Sequence, residues 1–302
     1  MSEHFVDEHS VEEHYVQVSG LNLRYQTRGS SGPVLVLLHG IGRSLEDWES
    51  SSGPLSQNHR VYALDLPGFG RSDKPQSGYS FAYFAGVLEG FLDALQLEQV
   101  TLLGSSLGGG VALEFAFAHP ERVSRLVLVD SAGFGSEVTL GLRILTLRGV
   151  GELLSTPSPR LVRGTLEGVF FDKGFITPER EARELELARL KGAQSAYVSV
   201  ARALGTFLGG VRAEWVWSVL RRCGDLTHLP TLIVWGDRDQ ILPPKHARVA
   251  QAHLPHAELH IFEGCGHFPQ LERAEEFNAL VLEFLSRHPP EHTRERLEGV
   301  TA

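Results

Sequence analysis

Five short stretches of this chain are almost wholly apolar and do not alternate. Residues 33–38 read PVLVLL, and residues 61–64, 100–103, 126–129 and 231–235 are built the same way. A strand apolar on both faces must be buried on both faces, and in a parallel sheet that means helices on either side. Helical patterns lie between the runs, at residues 81–95, 107–118 and 247–254. A last strand at 258–262 is followed by a helical pattern at 275–285. Strands alternating with helices predict an α/β fold with an open, doubly wound, mostly parallel sheet. Sites in such sheets lie beyond the carboxyl ends of the strands. Ahead of this rhythm, residues 15–18 and 21–27 alternate around Ser19-Gly20 and read as a β-hairpin.

The alternation breaks once. Residues 133–224 carry no convincing strand but several helical patterns, notably 177–191 with Pro178 in its first turn and Glu179, Glu181 and Glu184 near its start. A stretch this long between two core strands is too long for a loop. We expect a helical insertion over the strand ends, dividing the chain into a core of residues 1–132 and 225–302 and a cap of residues 133–224. The polar first dozen residues and the tail 289–302 read as loose ends.

Bulk properties narrow the function. The formal net charge is −9 over 302 residues, so no basic field is available for nucleic acid or an anionic membrane. No apolar run approaches the length of a membrane span. Two cysteines, Cys223 and Cys265, are too few for a disulfide framework. The acidic start lacks a signal-peptide pattern, and the expected location is cytoplasmic. No Cys/His cluster has zinc spacing. A homodimer is compatible with the sequence, and no surface pattern identifies an interface.

Gly104-Ser105-Ser106-Leu107-Gly108 fits G-x-S-x-G, with a strand before it and a helix after it. A nucleophile on a sharp strand-to-helix turn needs small neighbours two residues to either side, and the helix start points free N–H groups at developing negative charge. The alternative, a helix-capping serine in a Gly-rich turn, fits the flanking elements less well. Ser105 is one residue out of frame and reads as a packing or hydrogen-bonding neighbour. A serine hydroxyl needs a base. His267 follows the strand at 258–262, flanked by glycine. Asp237 and Asp239 both follow the strand at 231–235, and either can supply the acid that orients the base. The oxyanion donors expected are the backbone N–H of Leu107, after the nucleophile, and that of Ile41, in the loop His39-Gly40-Ile41-Gly42. His39 reads as a brace for that loop.

These segments together resemble the α/β-hydrolase superfamily, in its cap-bearing serine hydrolase branch. The resemblance runs over residues 16–285 through His39-Gly40, the loop from Asp65 to Ser72, the turn from Gly104 to Gly108, Trp235-Gly236-Asp237-Arg238-Asp239 with Pro243, and Gly266-His267. It implies a triad of Ser106, His267 and Asp239, since the family's acid maps to the second aspartate. It implies a structural role for the loop from Asp65 to Ser72, and a mechanism through an acyl-enzyme that requires no cofactor or metal. A serine nucleophile points away from the family's epoxide hydrolases and haloalkane dehalogenases, which use aspartate.

Carboxylic ester hydrolysis is then the first expectation. The second is carbon–carbon hydrolysis of meta-cleavage products from aromatic degradation, with which the stretch from Asp130 to Gly135 is compatible. Those hydrolases usually carry Asn before the nucleophile and Trp after the histidine, where this chain has Ser105 and Phe268. Perhydrolase and lactonase activities share the same triad. A non-catalytic small-molecule binding protein is the third reading, weakened by a fully occupied triad. The partner expected is a small molecule, best an ester with an apolar group. Phe170, Phe171, Phe175, Phe207, Trp215 and Trp217 are candidates to line its pocket, although for any one of them holding cap helices together is the first reading. A carboxylate on the substrate would want a cap arginine, such as Arg143, Arg160, Arg163 or Arg212. Cys265 reads as a small loop filler.

Overall fold

The computed structural model describes residues 12–290. The expected loose start lies outside them except for Glu12, and the expected loose tail except for Pro289 and Pro290. The strands are β1 (Glu12–Val18), β2 (Leu21–Arg28), β3 (Val34–Leu38), β4 (Arg60–Leu64), β5 (Val100–Ser105), β6 (Val123–Val129), the two-residue pieces β7 (Gly205–Thr206) and β8 (Gly210–Val211), β9 (Thr231–Gly236) and β10 (Glu258–Phe262). Eight of them form one sheet in the order β1-β2-β4-β3-β5-β6-β9-β10. β1 and β2 are the expected hairpin and β2 runs antiparallel to β4; every later pairing is parallel. The chain steps outward from β3 to β4 and returns to β5 on the other side, so a crevice opens at the carboxyl ends of β3 and β5.

The unbroken apolar runs divide by parity. Val34, Val36 and Leu38 of β3 face one core with Leu102, Leu126, Leu128, Ile233 and Trp235; Leu35 and Leu37 face the other with Leu103, Val127, Val129, Leu232 and Val234. Alternate side chains point to opposite sides of a strand, so a strand filling two cores has no polar position left. The helices that close the cores are α1 (Glu49–Ser56), α2 (Phe81–Ala94) and α3 (Leu107–Ala118), then, after the insertion, α10 (Lys245–His253), α11 (Pro269–Glu272) and α12 (Ala274–Arg287). Helix α3 is buried nearly all round, which explains its almost unbroken apolar sequence. Helix α1 (ESSSGPLS) has too weak a periodicity to be foreseen.

Six helices stand between β6 and β9: α4 (Leu140–Leu145), α5 (Val150–Leu154), α6 (Pro159–Val169), α7 (Pro178–Ala188), α8 (Ala193–Leu204) and α9 (Ala213–Arg222). α6 and α7 each start with proline behind a capping hydroxyl: Ser158 accepts the Leu161 N–H and Thr177 the Arg180 N–H. The expectation of no strand here needs correction, because β7 and β8 pair as a short ribbon. Two-residue strands are too short to carry a periodic signal. Val162, Leu166, Val169 and Phe170 of the insertion pack on Phe268 and Leu271 of the core.

Candidate active site

Ser106 stands between β5 and α3 at φ 55°, ψ −114°, a backbone conformation that side chains rarely adopt. The flanking glycines are there for lack of room. A Cβ on Gly104 would sit 2.3 Å from the Gly108 carbonyl oxygen, and one on Gly108 would sit 2.2 Å from that of Leu38. The Ser106 N–H donates to Val129 O at 2.9 Å and its carbonyl accepts from Ala132 N–H at 3.0 Å, so the end of β6 grips the turn. Ser105 is fully buried with its hydroxyl unpartnered, which makes it a packing residue.

His267 Nδ1 lies 2.7 Å from Asp239 Oδ2. The other Asp239 oxygen accepts the N–H groups of Ile241 and Leu242 at 2.7 and 3.1 Å. Asp237 lies elsewhere: it accepts the Cys265 N–H and stands 3.4 Å from Arg238 Nε. Of the two aspartates, the second meets the histidine. Ser106 and His267 open on one cavity of about 660 Å³ between core and insertion. Ile41 lines it, and also lines a chamber of about 70 Å³ beside Ser106 together with Leu107. The Leu107 N–H belongs to the first turn of α3, where helix geometry provides no partner.

His39 braces the Ile41 loop, as expected. Its Nε2 accepts the Leu66 N–H at 2.9 Å and its Nδ1 donates to Gly40 O at 2.7 Å. Burial lowers its pKa and keeps the ring neutral. Asp65, also buried, accepts from Leu45 and Arg71 N–H and ties the loop from Asp65 to Ser72 to its neighbours. Cys265 is wholly buried, and burial raises its thiol pKa, which suits a filler and not a nucleophile.

Two acids escaped the sequence reading. Glu272 accepts three backbone N–H groups, from Gly266, Phe171 and Asp172, at 2.8–2.9 Å. His267 N–H donates to Val169 O at 2.8 Å, so the histidine loop is lashed to the insertion. Asp130 is fully buried beside Asp239. Among the described residues, Asp130, Asp239 and His267 form a group whose candidate metal-ligand atoms lie within 4.8 Å of one another. With His267 Nδ1 protonated toward Asp239, that nitrogen has no lone pair for a cation.

The insertion's aromatic candidates do not form the lining. None of the six candidates lines either cavity. Phe170 packs against Phe175 and Phe268; Trp215 stacks on Phe81 at 3.5 Å and donates to Glu114; Trp217 and Phe171 face solvent. The insertion's wall is largely aliphatic, with Leu142, Leu145, Leu161, Val162, Leu166 and Leu187. Arg43 faces the cavity held by Asp47 at 2.6 Å and Glu184 at 3.0 Å, and Lys74 is satisfied by the carbonyls of Gly70 and Ser72. Of the four insertion arginines named as candidates, Arg160 alone lines the larger cavity. Arg163 pairs with Glu167 and Glu181, Arg212 binds backbone carbonyls, and Arg143 binds carbonyls beside the small chamber.

Comparison with known proteins agrees with this architecture. The family model for the alpha/beta hydrolase fold matches residues 33–274. The chain is 33% identical over 283 residues to 2-hydroxymuconate semialdehyde hydrolase of Pseudomonas putida, covering 92% of this chain and 95% of that one. The crystal structure of the meta-cleavage product hydrolase CumD from Pseudomonas fluorescens IP01 superposes with a TM-score of 0.78 at 30% identity, covering 91% of this chain and 98% of that one. Est816, an N-acyl homoserine lactone degrading enzyme, superposes with a TM-score of 0.70 at 29% identity, covering 90% of this chain and all of that one. The chain belongs to the α/β-hydrolase family and is a hydrolase. Among the described residues no helix is long and apolar enough to cross a membrane.

Proposed function

We propose that this hydrolase cleaves carboxylic esters through an acyl-enzyme on Ser106. The carrying observation is the serine held at positive φ on the wall of an apolar cavity that His267, bonded to Asp239, also lines. His267 takes the Ser106 proton as the hydroxyl oxygen attacks the carbonyl carbon. Asp239 holds the Nδ1–H tautomer and stabilises the imidazolium. The N–H groups of Ile41 and Leu107 receive the oxyanion. Collapse expels the alcohol, protonated by His267, and water releases the acid by the same steps. The chemistry needs no cofactor. Residues 133–224 serve as the cap and select the substrate.

Ester specificity is supported by the wall itself. Its side chains are chiefly aliphatic, and two of its three cations, Arg43 and Lys74, are engaged by protein groups, which suits an apolar ester. A second reading, carbon–carbon hydrolysis of a dienoic meta-cleavage product, draws on the relatives that bear that name and on Arg160, whose charge can meet a carboxylate at the cavity. Both are tested by turnover of p-nitrophenyl esters of increasing acyl length beside a dienoic meta-cleavage product followed by its visible absorbance. Faster ester turnover is expected; faster loss of the dienoate colour would transfer the assignment to carbon–carbon cleavage.

A further inference from the structure

Asp130 is the first residue beyond β6 and its backbone is left-handed, at φ 43°. For a residue other than glycine that costs on the order of 1 kcal/mol, so the surroundings must hold it there. Its N–H donates to Val234 O at 2.9 Å, and its Oδ1 accepts the Gly236 N–H at 3.0 Å. Its Oδ2 is buried with no partner of its own. On either side of it in the chain, Val129 and Ala132 hold the peptide of Ser106. Asp130 therefore spans two parts of the site, with its backbone around the serine turn and its side chain under the loop that carries Asp239.

Two carboxylates with oxygens within 4.8 Å of each other and shielded from water strongly disfavour a second negative charge. The donors decide which keeps the proton. Asp239 accepts Ile241 N–H, Leu242 N–H and the His267 ring, all of which favour its charged form. Asp130 accepts one N–H. We propose that Asp130 is a positioning residue: its carboxyl O–H donates to the Asp239 carboxylate and so fixes the acid that orients His267. This rests on the triad assignment above. Burial pushes the Asp130 carboxyl well above the ordinary range, and the charges of Asp239 and Glu272 push the same way. The ionisable groups beside it are Asp239, His267, Glu272 and Cys265, with Arg273 acting on Cys265 from beyond them.

The test compares Asp130→Asn, Asp130→Ala and Asp239→Asn in the full chain, by kcat and KM for an ester across pH and by infrared spectroscopy. The amide of Asp130→Asn keeps a donor and an acceptor, so kcat should stay within about 3-fold of the parent. Asp130→Ala removes the donor to a charged group, and kcat should fall roughly 10- to 100-fold with KM little changed. Asp239, left with more of its charge, should then hold the imidazolium more tightly and move the acidic limb of the kcat profile to higher pH. A protonated-carboxyl band present in the parent at neutral pH should vanish in Asp130→Asn, a readout that stands even where Asp130→Ala does not fold. Absence of that band, equal damage from Asn and Ala, or an unchanged kcat and acidic limb in Asp130→Ala would overturn the proposal. Full activity in Asp239→Asn would instead overturn the triad assignment, whatever the Asp130 variants do.

Discussion

The carboxyl edge of the sheet and the insertion above it are held together by different physics. At the edge, backbone meets backbone. The serine turn closes against Gly108, Leu38 and Val129 with no space for another carbon. The insertion is joined to the core largely through side-chain charges and aliphatic packing. Glu49 takes Arg180 and Arg183, Arg71 takes Glu186, and Arg43 takes Glu184, so α7 docks on a row of ion pairs. Backbone packing tolerates little change, while partly exposed ion pairs are individually weak. The edge is therefore suited to hold a fixed geometry, and the insertion to tolerate change.

The contrast can be broken at several points. The largest effect belongs to the edge: Ser106→Ala should lower kcat by several orders of magnitude, on the order of 10⁶ as for other serine triads, with little change in thermal stability. Retained turnover in the ester assay would remove the serine mechanism. Next, Asp239→Asn should cost about 10⁴ in kcat, and Asp237→Asn only a few-fold, since Asp237 meets Cys265 and Arg238. The reverse order would move the acid.

A glycine pair compares the regions directly. Gly108→Ala should cost several kcal/mol in denaturant unfolding, because its Cβ would strike the Leu38 carbonyl. Gly164→Ala, inside α6 with open space at its Cβ, should be neutral or stabilising by up to about 1 kcal/mol. Equal costs would mean that the insertion is as tightly determined as the edge.

His59 supplies a pH test of the core. Burial, with the charge of Arg125 adding to it, depresses its pKa to about 4. A folded-state value below the unfolded one means the unfolded chain takes up the proton first. The stabilisation is present above the unfolded value near 6.5 and is lost as pH falls through 4, on the order of 3 kcal/mol in all. His59→Gln should flatten the stability–pH curve in that window, and an unchanged slope would assign the loss to other groups. The smallest effect is expected at the insertion. Glu49→Gln, or raised salt, should cost under about 1 kcal/mol and show as faster amide exchange in α7 with the sheet unaffected.

The same contrast explains what was legible beforehand. The β3, β5, β6 and β9 runs announce themselves because a strand shared by two cores has no polar position. The serine turn does so because its sterics leave glycine alone at two places. Asp237 and Asp239 stay equivalent until the resemblance or the fold brings one of them to His267. Asp130 and Glu272 carry no signal, because their partners are backbone N–H groups and another acid brought together only by folding. The six insertion aromatics mislead for a related reason: apolarity says that a ring seeks cover, not which side of a helix supplies it.

Glu272 sets terms for any transplant. Its carboxylate joins the histidine loop to Phe171 and Asp172, and His267 itself donates to Val169. A cap grafted from a relative must therefore bring, at positions 169–172, one carbonyl and two N–H groups in the same places. Without them the graft would leave the Glu272 carboxylate with only the Gly266 N–H and a histidine free to swing, and the chimera would lose turnover before its new pocket met a substrate.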